Sequence, residues 1–239
     1  MTASIPIVAL DVSTIREALA IAAELGASCG FYKVGSELYT AEGPAVVRAL
    51  RDAGADVFLD LKFYDIPNTV AGAVRSAAAL GVRLVTVHAS GGVAMLRAAQ
   101  QAAEARCGVL AVTVLTSFDA AGLAGAWGRQ ALNLEDEVLR LAGDAAAAGL
   151  HGVVCSGAEA SAIAAAHPAL ALLVPGIRLA GGDAHDQQRV VTPAAAQASG
   201  ARYLVLGRAV TAAPDRRAAM EQVLAELSRG VARGIAPHR

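Results

Sequence analysis

The segment Asp60-Leu61-Lys62-Phe63-Tyr64-Asp65-Ile66-Pro67-Asn68-Thr69 crowds two carboxylates and one ammonium into six positions, just after the apolar run Val57-Phe58-Leu59. Strand side chains alternate between faces, so Asp60 and Lys62 are expected to point the same way. Burial alone disfavours an ammonium, and flanking carboxylates offset that penalty. The cluster reads as charged groups built to act on a ligand. It suits Schiff-base formation poorly, because an amine nucleophile must be neutral. The competing reading is a plain surface turn, since Asp, Pro and Asn all favour turns.

The elements that must position these groups alternate regularly along the chain. Short apolar runs read as strands over 5–12, 31–35, 57–62, 84–87, 109–115, 153–155, 172–174 and 203–206. Helical patterns fall between and after them, over 14–25, 45–53, 68–80, 93–105, 134–148, 158–166, 193–198 and 215–228. Ser13 is the expected N-cap of the first helix, and Gly26, Gly54 and Gly81 are the expected stops of the first three. Strands this continuously apolar belong to a parallel sheet covered on both faces. Eight strand–helix units in 239 residues predict an α/β fold, a (β/α)8 TIM barrel forming a single domain over 1–239. A doubly wound open sheet is the alternative. The connection 116–131 is unusually long and holds the only tryptophan, Trp127, and the tail 230–239 reads as fraying polar surface.

A barrel of this kind places functional groups where strands end and the following loops begin. Asp11 ends the first strand, Lys33 the second, Asp60 and Lys62 the third, His88 the fourth and Thr116 the fifth. Ser156 follows the sixth, Pro175-Gly176-Ile177-Arg178 ends the seventh, and Gly207-Arg208 ends the eighth. Asp11 also suits a helix cap, and His88 suits a neutral buried imidazole as well as a ligand contact. Lys33, between Tyr32 and Val34, is expected to turn its head into the barrel mouth. The stretch from Arg178 through Gly181-Gly182 to Gln187 is long enough to fold over a ligand. Gly207 permits close backbone approach, and Arg208 supplies a fork of donors for phosphate oxygens. Loops after strands seven and eight are the recurrent phosphate site of this architecture.

Composition narrows the function classes. With 55% hydrophobic residues, 17% charged residues and a net charge of -1, the chain lacks the basic excess of a nucleic-acid binder. No apolar run approaches the ~20 residues of a membrane span, and the first residues carry no basic signal-peptide region. Cys29, Cys107 and Cys155 form no ligand or disulfide framework, which fits a reducing, cytoplasmic setting. His151, His167 and His185 have no metal-ligand spacing, so no metal site is expected.

At Asp60-x-Lys62-x-x-Asp65-Ile66-Pro67-Asn68-Thr69 the chain resembles the orotidine 5'-phosphate decarboxylase family. The resemblance continues in order through Ala9-Leu10-Asp11, Lys33-Val34-Gly35, Val112 to Ser117, Gly152 to Ser156, Pro175 to Arg178, Asp186 to Arg189 and Gly207 to Thr211. Tyr64 departs from a common His, which is expected to alter packing under the charged cluster; His185 departs from a common Gly. The resemblance implies a homodimer free of cofactors and metals. It would convert orotidine 5'-phosphate to UMP and carbon dioxide as the last step of UMP biosynthesis. It implies a charged network of Lys33, Asp60, Lys62 and Asp65, with Asp65 and Thr69 reaching the partner's site. Asp11 and Lys33 would hold the ribose, Thr116 would lie beside the nucleotide, and Arg178, Gln187, Gly207 and Arg208 would hold the phosphate. Three rivals remain open: a metal-dependent sugar-phosphate decarboxylase of the same superfamily, with an acidic metal ligand where Lys33 stands; a Schiff-base aldolase using Lys62 or Lys33 as amine nucleophile, which the adjacent carboxylates disfavour; and a nucleotide-binding barrel without catalysis.

Overall fold

A computed structural model describes residues 3–179 and 191–234 of the chain, with side chains through residue 230. Eight parallel strands form its centre: β1 (Ile5–Ala9), β2 (Phe31–Gly35), β3 (Asp56–Phe63), β4 (Leu84–His88), β5 (Gly108–Val112), β6 (Gly152–Val154), β7 (Ala171–Val174) and β8 (Ala201–Leu206). Each strand pairs with the next, and β8 returns to β1 in the register Ile5↔Tyr203 through Val8↔Leu206. That last pairing closes a barrel and excludes the open sheet.

The strand residues sort by parity. Ile7, Ala9, Phe31, Phe58, Leu84, Leu110, Leu173, Tyr203 and Val205 pack together inside the barrel. Their chain neighbours, such as Val8, Tyr32, Val57, Leu59, Val85 and Leu172, face outward and meet the helices in a second, larger core. Both faces are therefore apolar, which is why no polar alternation marks these strands in the sequence.

Among the described residues eleven α-helices surround the barrel: α1 (Ile15–Leu25), α2 (Ser36–Glu42), α3 (Ala45–Asp52), α4 (Pro67–Ala79), α5 (Gly92–Ala103), α6 (Ala120–Ala126), α7 (Leu134–Ala147), α8 (Ala160–Ala166), α9 (Pro193–Ala198), α10 (Arg208–Thr211) and α11 (Arg216–Gly234). The eight expected helices are present, and α2, α6 and α10 are additional. Two of these short helices lie next to functional strand ends, and α6 folds part of the long 116–131 connection, capped by Asp119 onto Gly122 N. Each is seven residues or shorter and falls in a connection between the expected elements.

Several boundaries move for local reasons. The cap of α1 is Thr14, one residue past the expected Ser13; Thr14 Oγ1 accepts from Glu17 N and donates to Glu17 Oε2, a reciprocal capping pair. Ser13 instead donates to Glu37 Oε1. Gly26 ends α1 with φ 50, a conformation that favours glycine. β1 stops at Ala9 and β5 at Val112, each three residues before the expected end. The apolar residues beyond them, Leu10 and Val114, are buried in the loops rather than in the sheet. α11 continues to Gly234, so the expected fraying tail begins as helix.

Candidate active site

The C-terminal ends of the strands surround a cavity of ≈ 290 Å³. Its floor is apolar, built from the last inward residues of five strands and the middle of a sixth: Ala9, Val112, Val154, Leu173, Val205 and Phe58. Such a surface suits a flat ring. Charged groups stand around it on two sides.

The first side belongs to β1, β2 and β3. Lys33 turns into the mouth as expected; its side chain is only 13% exposed, and Nζ donates to Asp11 Oδ1 at 2.9 Å. Asp11 lies in the loop beyond β1 and does not cap α1, since Thr14 fills that role. Lys33 lies in the middle of β2 rather than at its end, opposite Phe58, and Asp60 lies within β3 opposite Gly35, so the two stand two register steps apart on adjacent strands. Lys62 Nζ donates to Asp60 Oδ2 at 2.9 Å. The two groups do meet, but not through regular alternation. The β3–β4 ladder shifts between Leu59 and Phe63, and Lys62 has φ 51. A bulge, rather than period two, re-aims the lysine.

The second side belongs to β7 and β8, half the barrel away from β3. Gly176 turns the chain with φ 78 directly after Pro175. Arg178 follows, 8% exposed, with Nη1 donating to Ile177 O at 2.9 Å. Burial, and then the neighbouring guanidinium of Arg208, press the Arg178 pKa below its ordinary value. Two positive groups thus converge at one end of the cavity. Gly207 lines it as well, and a Cβ there would meet no atom within 4 Å, so the missing side chain leaves ligand space over the backbone. Thr116 lines the wall from a turn four residues beyond β5 rather than from the strand end itself. Gln187 and His185 lie outside the described residues.

Other candidates fall elsewhere. Asp65 is exposed on the β3–α4 loop, where its Oδ1 accepts from Ile66 N at 2.6 Å; Thr69 is exposed in the first turn of α4. Neither lines the cavity of this chain. His88 faces a smaller neighbouring hollow with Tyr64, Ser90, Thr113 and Trp127. Burial first, and the Lys62 ammonium second, lower the His88 pKa against the opposing pull of Asp60, which favours its neutral form. Tyr64 stacks edge-on against that imidazole, with centroids 5.7 Å apart, and is 61% exposed. It therefore flanks the charged cluster instead of packing under it. Ser156 is buried against Glu159, which accepts from its backbone N at 2.9 Å. His151 bonds Tyr203 Oη at 3.1 Å, away from the cavity. Cys29, Cys107 and Cys155 are buried and form no disulfide with one another.

Thr86 had not been singled out. It is fully buried, and its hydroxyl donates to Asp60 Oδ1 at 2.9 Å while accepting from Lys62 N at 2.9 Å. A polar residue two positions from an inward-facing leucine, in the run Leu84-Val85-Thr86, was the available signal.

Among the described residues no three His, Cys, Asp or Glu side chains converge to hold a metal ion, and no helix is long and apolar enough to cross a membrane. The arrangement can bind an anion at one end, seat a ring on an apolar floor, and present an ammonium backed by a carboxylate at the other end.

Known proteins share this plan. The family model described as orotidine 5'-phosphate decarboxylase / HUMPS family matches residues 4–223. The orotidine 5'-phosphate decarboxylase of Halorhodospira halophila is 52% identical over 231 residues, covering 93% of this chain and 95% of the relative. That of Pseudomonas fluorescens is 47% identical over 228 residues, covering 93% and 97%. The crystal structure of orotidine 5'-phosphate decarboxylase from Lactobacillus acidophilus superposes with a TM-score of 0.83 at 34% identity, covering 95% of this chain and 99% of that one. The chain belongs to the orotidine 5'-phosphate decarboxylase / HUMPS family.

Proposed function

We propose that this carboxy-lyase converts orotidine 5'-phosphate to UMP and carbon dioxide, as the last step of UMP synthesis. The observation that carries the reading is the Lys62–Asp60 ion pair at one side of a cavity whose other side gathers Arg178, Gly207 and Arg208. In this reading the pyrimidine lies on the apolar floor with C6 toward Lys62. Asp11 and Lys33 hold the ribose, Thr116 lies beside the nucleotide, and Arg178, Arg208, Gly207 N–H and Gln187 hold the phosphate.

The chemistry explains why these groups are needed. The C6–carboxylate bond breaks heterolytically, carbon dioxide leaves, and the electron pair remains on C6 in the ring plane. No carbonyl is placed to delocalise it. Enzymes lower barriers by about 8–23 kcal/mol, and a carbanion of this kind demands the upper part of that range. The Lys62 ammonium stabilises the pair as it develops and then donates a proton to C6; water later returns a proton to the amine. Asp60 holds Lys62 in place and, set beside the substrate carboxylate, disfavours the bound ground state. Phosphate binding, remote from C6, supplies energy for assembling and drying the site.

The exposure of Asp65 and Thr69 supports a homodimeric site. Both are exposed and neither lines the cavity of its own chain, as residues contributed to a second subunit's site would be. Asp65 would then complete the charged array of a second subunit's site, made of that subunit's own copies of Lys33, Asp60 and Lys62.

The test is the loss of orotidine 5'-phosphate absorbance, with and without EDTA. The expected result is turnover to UMP that EDTA leaves unchanged. Absence of turnover refutes the proposal, and turnover abolished by EDTA refutes its metal-free form in favour of the metal-dependent relatives.

A further inference from the structure

The β3–β4 ladder runs through Phe58↔Leu84 and Leu59↔Val85 and resumes only at Phe63↔Val87. Four steps along β3 are thus spanned by two along β4, and residues 60–62 bulge from the sheet. Lys62 takes φ 51 there, a left-handed conformation that a residue with a side chain adopts only when its surroundings hold it. Its N–H has left the strand ladder and donates to Thr86 Oγ1 at 2.9 Å. The Thr86 proton goes to Asp60 Oδ1 at 2.9 Å, and Asp60 Oδ2 accepts from Lys62 Nζ at 2.9 Å. A hydroxyl has a single proton to donate. Here that proton is committed to Asp60, while a lone pair fixes the bulged backbone. One fully buried side chain therefore closes a ring through the main chain of Lys62, the carboxylate of Asp60 and the ammonium of Lys62.

We infer that Thr86 is a positioning residue for the decarboxylation proposed above, and the inference rests on that reading. Thr86 does not line the cavity and acts through Asp60 and Lys62. Its hydroxyl sets both the backbone angle from which the lysine springs and the rotation of the carboxylate beside it. The ribose and phosphate contacts lie outside this ring, so the inference concerns turnover and not binding.

Thr86→Val keeps the shape and removes the hydroxyl; Thr86→Ser keeps the hydroxyl and removes the methyl. The expected result for Thr86→Val is a fall in kcat of about 10- to 100-fold, the range for losing a hydrogen bond to a charged group. KM and the Kd for UMP should stay within about threefold. Thr86→Ser should return kcat to within about fivefold of wild type. Wild-type kcat in Thr86→Val overturns the inference. So do equal losses in the Val and Ser variants, which would mark a packing role. Should Thr86→Val not fold, Thr86→Ala removes the same hydroxyl without adding bulk and carries the same comparison against Ser. Failure of the wild-type protein to turn over orotidine 5'-phosphate sinks the underlying reading instead, and that control separates the two.

Discussion

Gly35→Ala should impair catalysis while leaving the fold intact. Gly35 ends β2, two residues after Lys33 and opposite Asp60. Its backbone angles, φ -94 and ψ -176, suit alanine without strain. A Cβ at this position would stand 3.8 Å from Asp11 Oδ1, an ordinary contact, but 3.0 Å from Lys33 Nζ. The ammonium must retreat by a few tenths of an ångström, away from the position in which it meets Asp11 at 2.9 Å. A 1 Å misplacement in a catalytic site can cost about 100-fold, so a shift of this size should lower kcat/KM about 3- to 10-fold.

Stability should barely move. Alanine narrows the unfolded ensemble and adds about 0.4–1 kcal/mol. As the residue capping α2, it forfeits a comparable amount relative to glycine, roughly 0.5–1 kcal/mol. The remainder, about 0.5 kcal/mol of either sign, shifts Tm by roughly 2 °C at most in a chain of this size. Steady-state turnover and a thermal melt on one preparation decide the matter. A second comparison locates the effect: in a Lys33→Ala background, Gly35→Ala should cost nothing further, because the displaced group is already gone. Unchanged kcat/KM, or a fall that persists without Lys33, would refute the reasoning.

Four further outcomes are expected. Lys62→Ala should abolish measurable decarboxylation yet retain UMP binding by titration, since the phosphate end is untouched; wild-type-like turnover would remove Lys62 from the mechanism. Arg208→Ala should lower kcat/KM about 100-fold or more, because charge-assisted bonds to phosphate are lost although no reacting atom is touched; unchanged kcat/KM would end that role. Mixing inactive Lys62→Ala and Asp65→Asn subunits should restore activity in hybrid dimers, where one site recovers both groups; no recovery would count against a shared site. His88 takes up its proton at a lower pH in the folded protein than in the unfolded chain, where it does so near pH 6.5. Below that pH the unfolded state binds more protons, so stability falls on acidification; urea melts at pH 7.5, 6.5 and 5.5 should show a shallower fall for His88→Gln, and equal slopes would be contrary.

How legible this site was in the sequence follows from how each residue is placed. Lys33 and Asp60 interrupt the apolar pattern within β2 and β3, Arg178 and Arg208 follow the ends of β7 and β8, and the barrel geometry assigns them a direction. Parity correctly pairs Asp60 with the barrel interior, because its neighbour Phe58 faces inward. Parity fails at Lys62, because a bulge breaks it, and nothing in the local residue types announces the bulge: the sequence there is Leu-Lys-Phe, with no glycine. The information lies on the next strand. Thr86 supplies the partner that a bulged N–H requires, so the conformation of Lys62 is encoded 24 residues away. Asp65 and Thr69 illustrate a different limit: both are exposed, and the role proposed for them lies on a second copy of the chain. A charged turn and the proposed catalytic motif are thus the same ten residues, distinguished by what the fourth strand and, in the proposed dimer, a second copy of the chain place beside them.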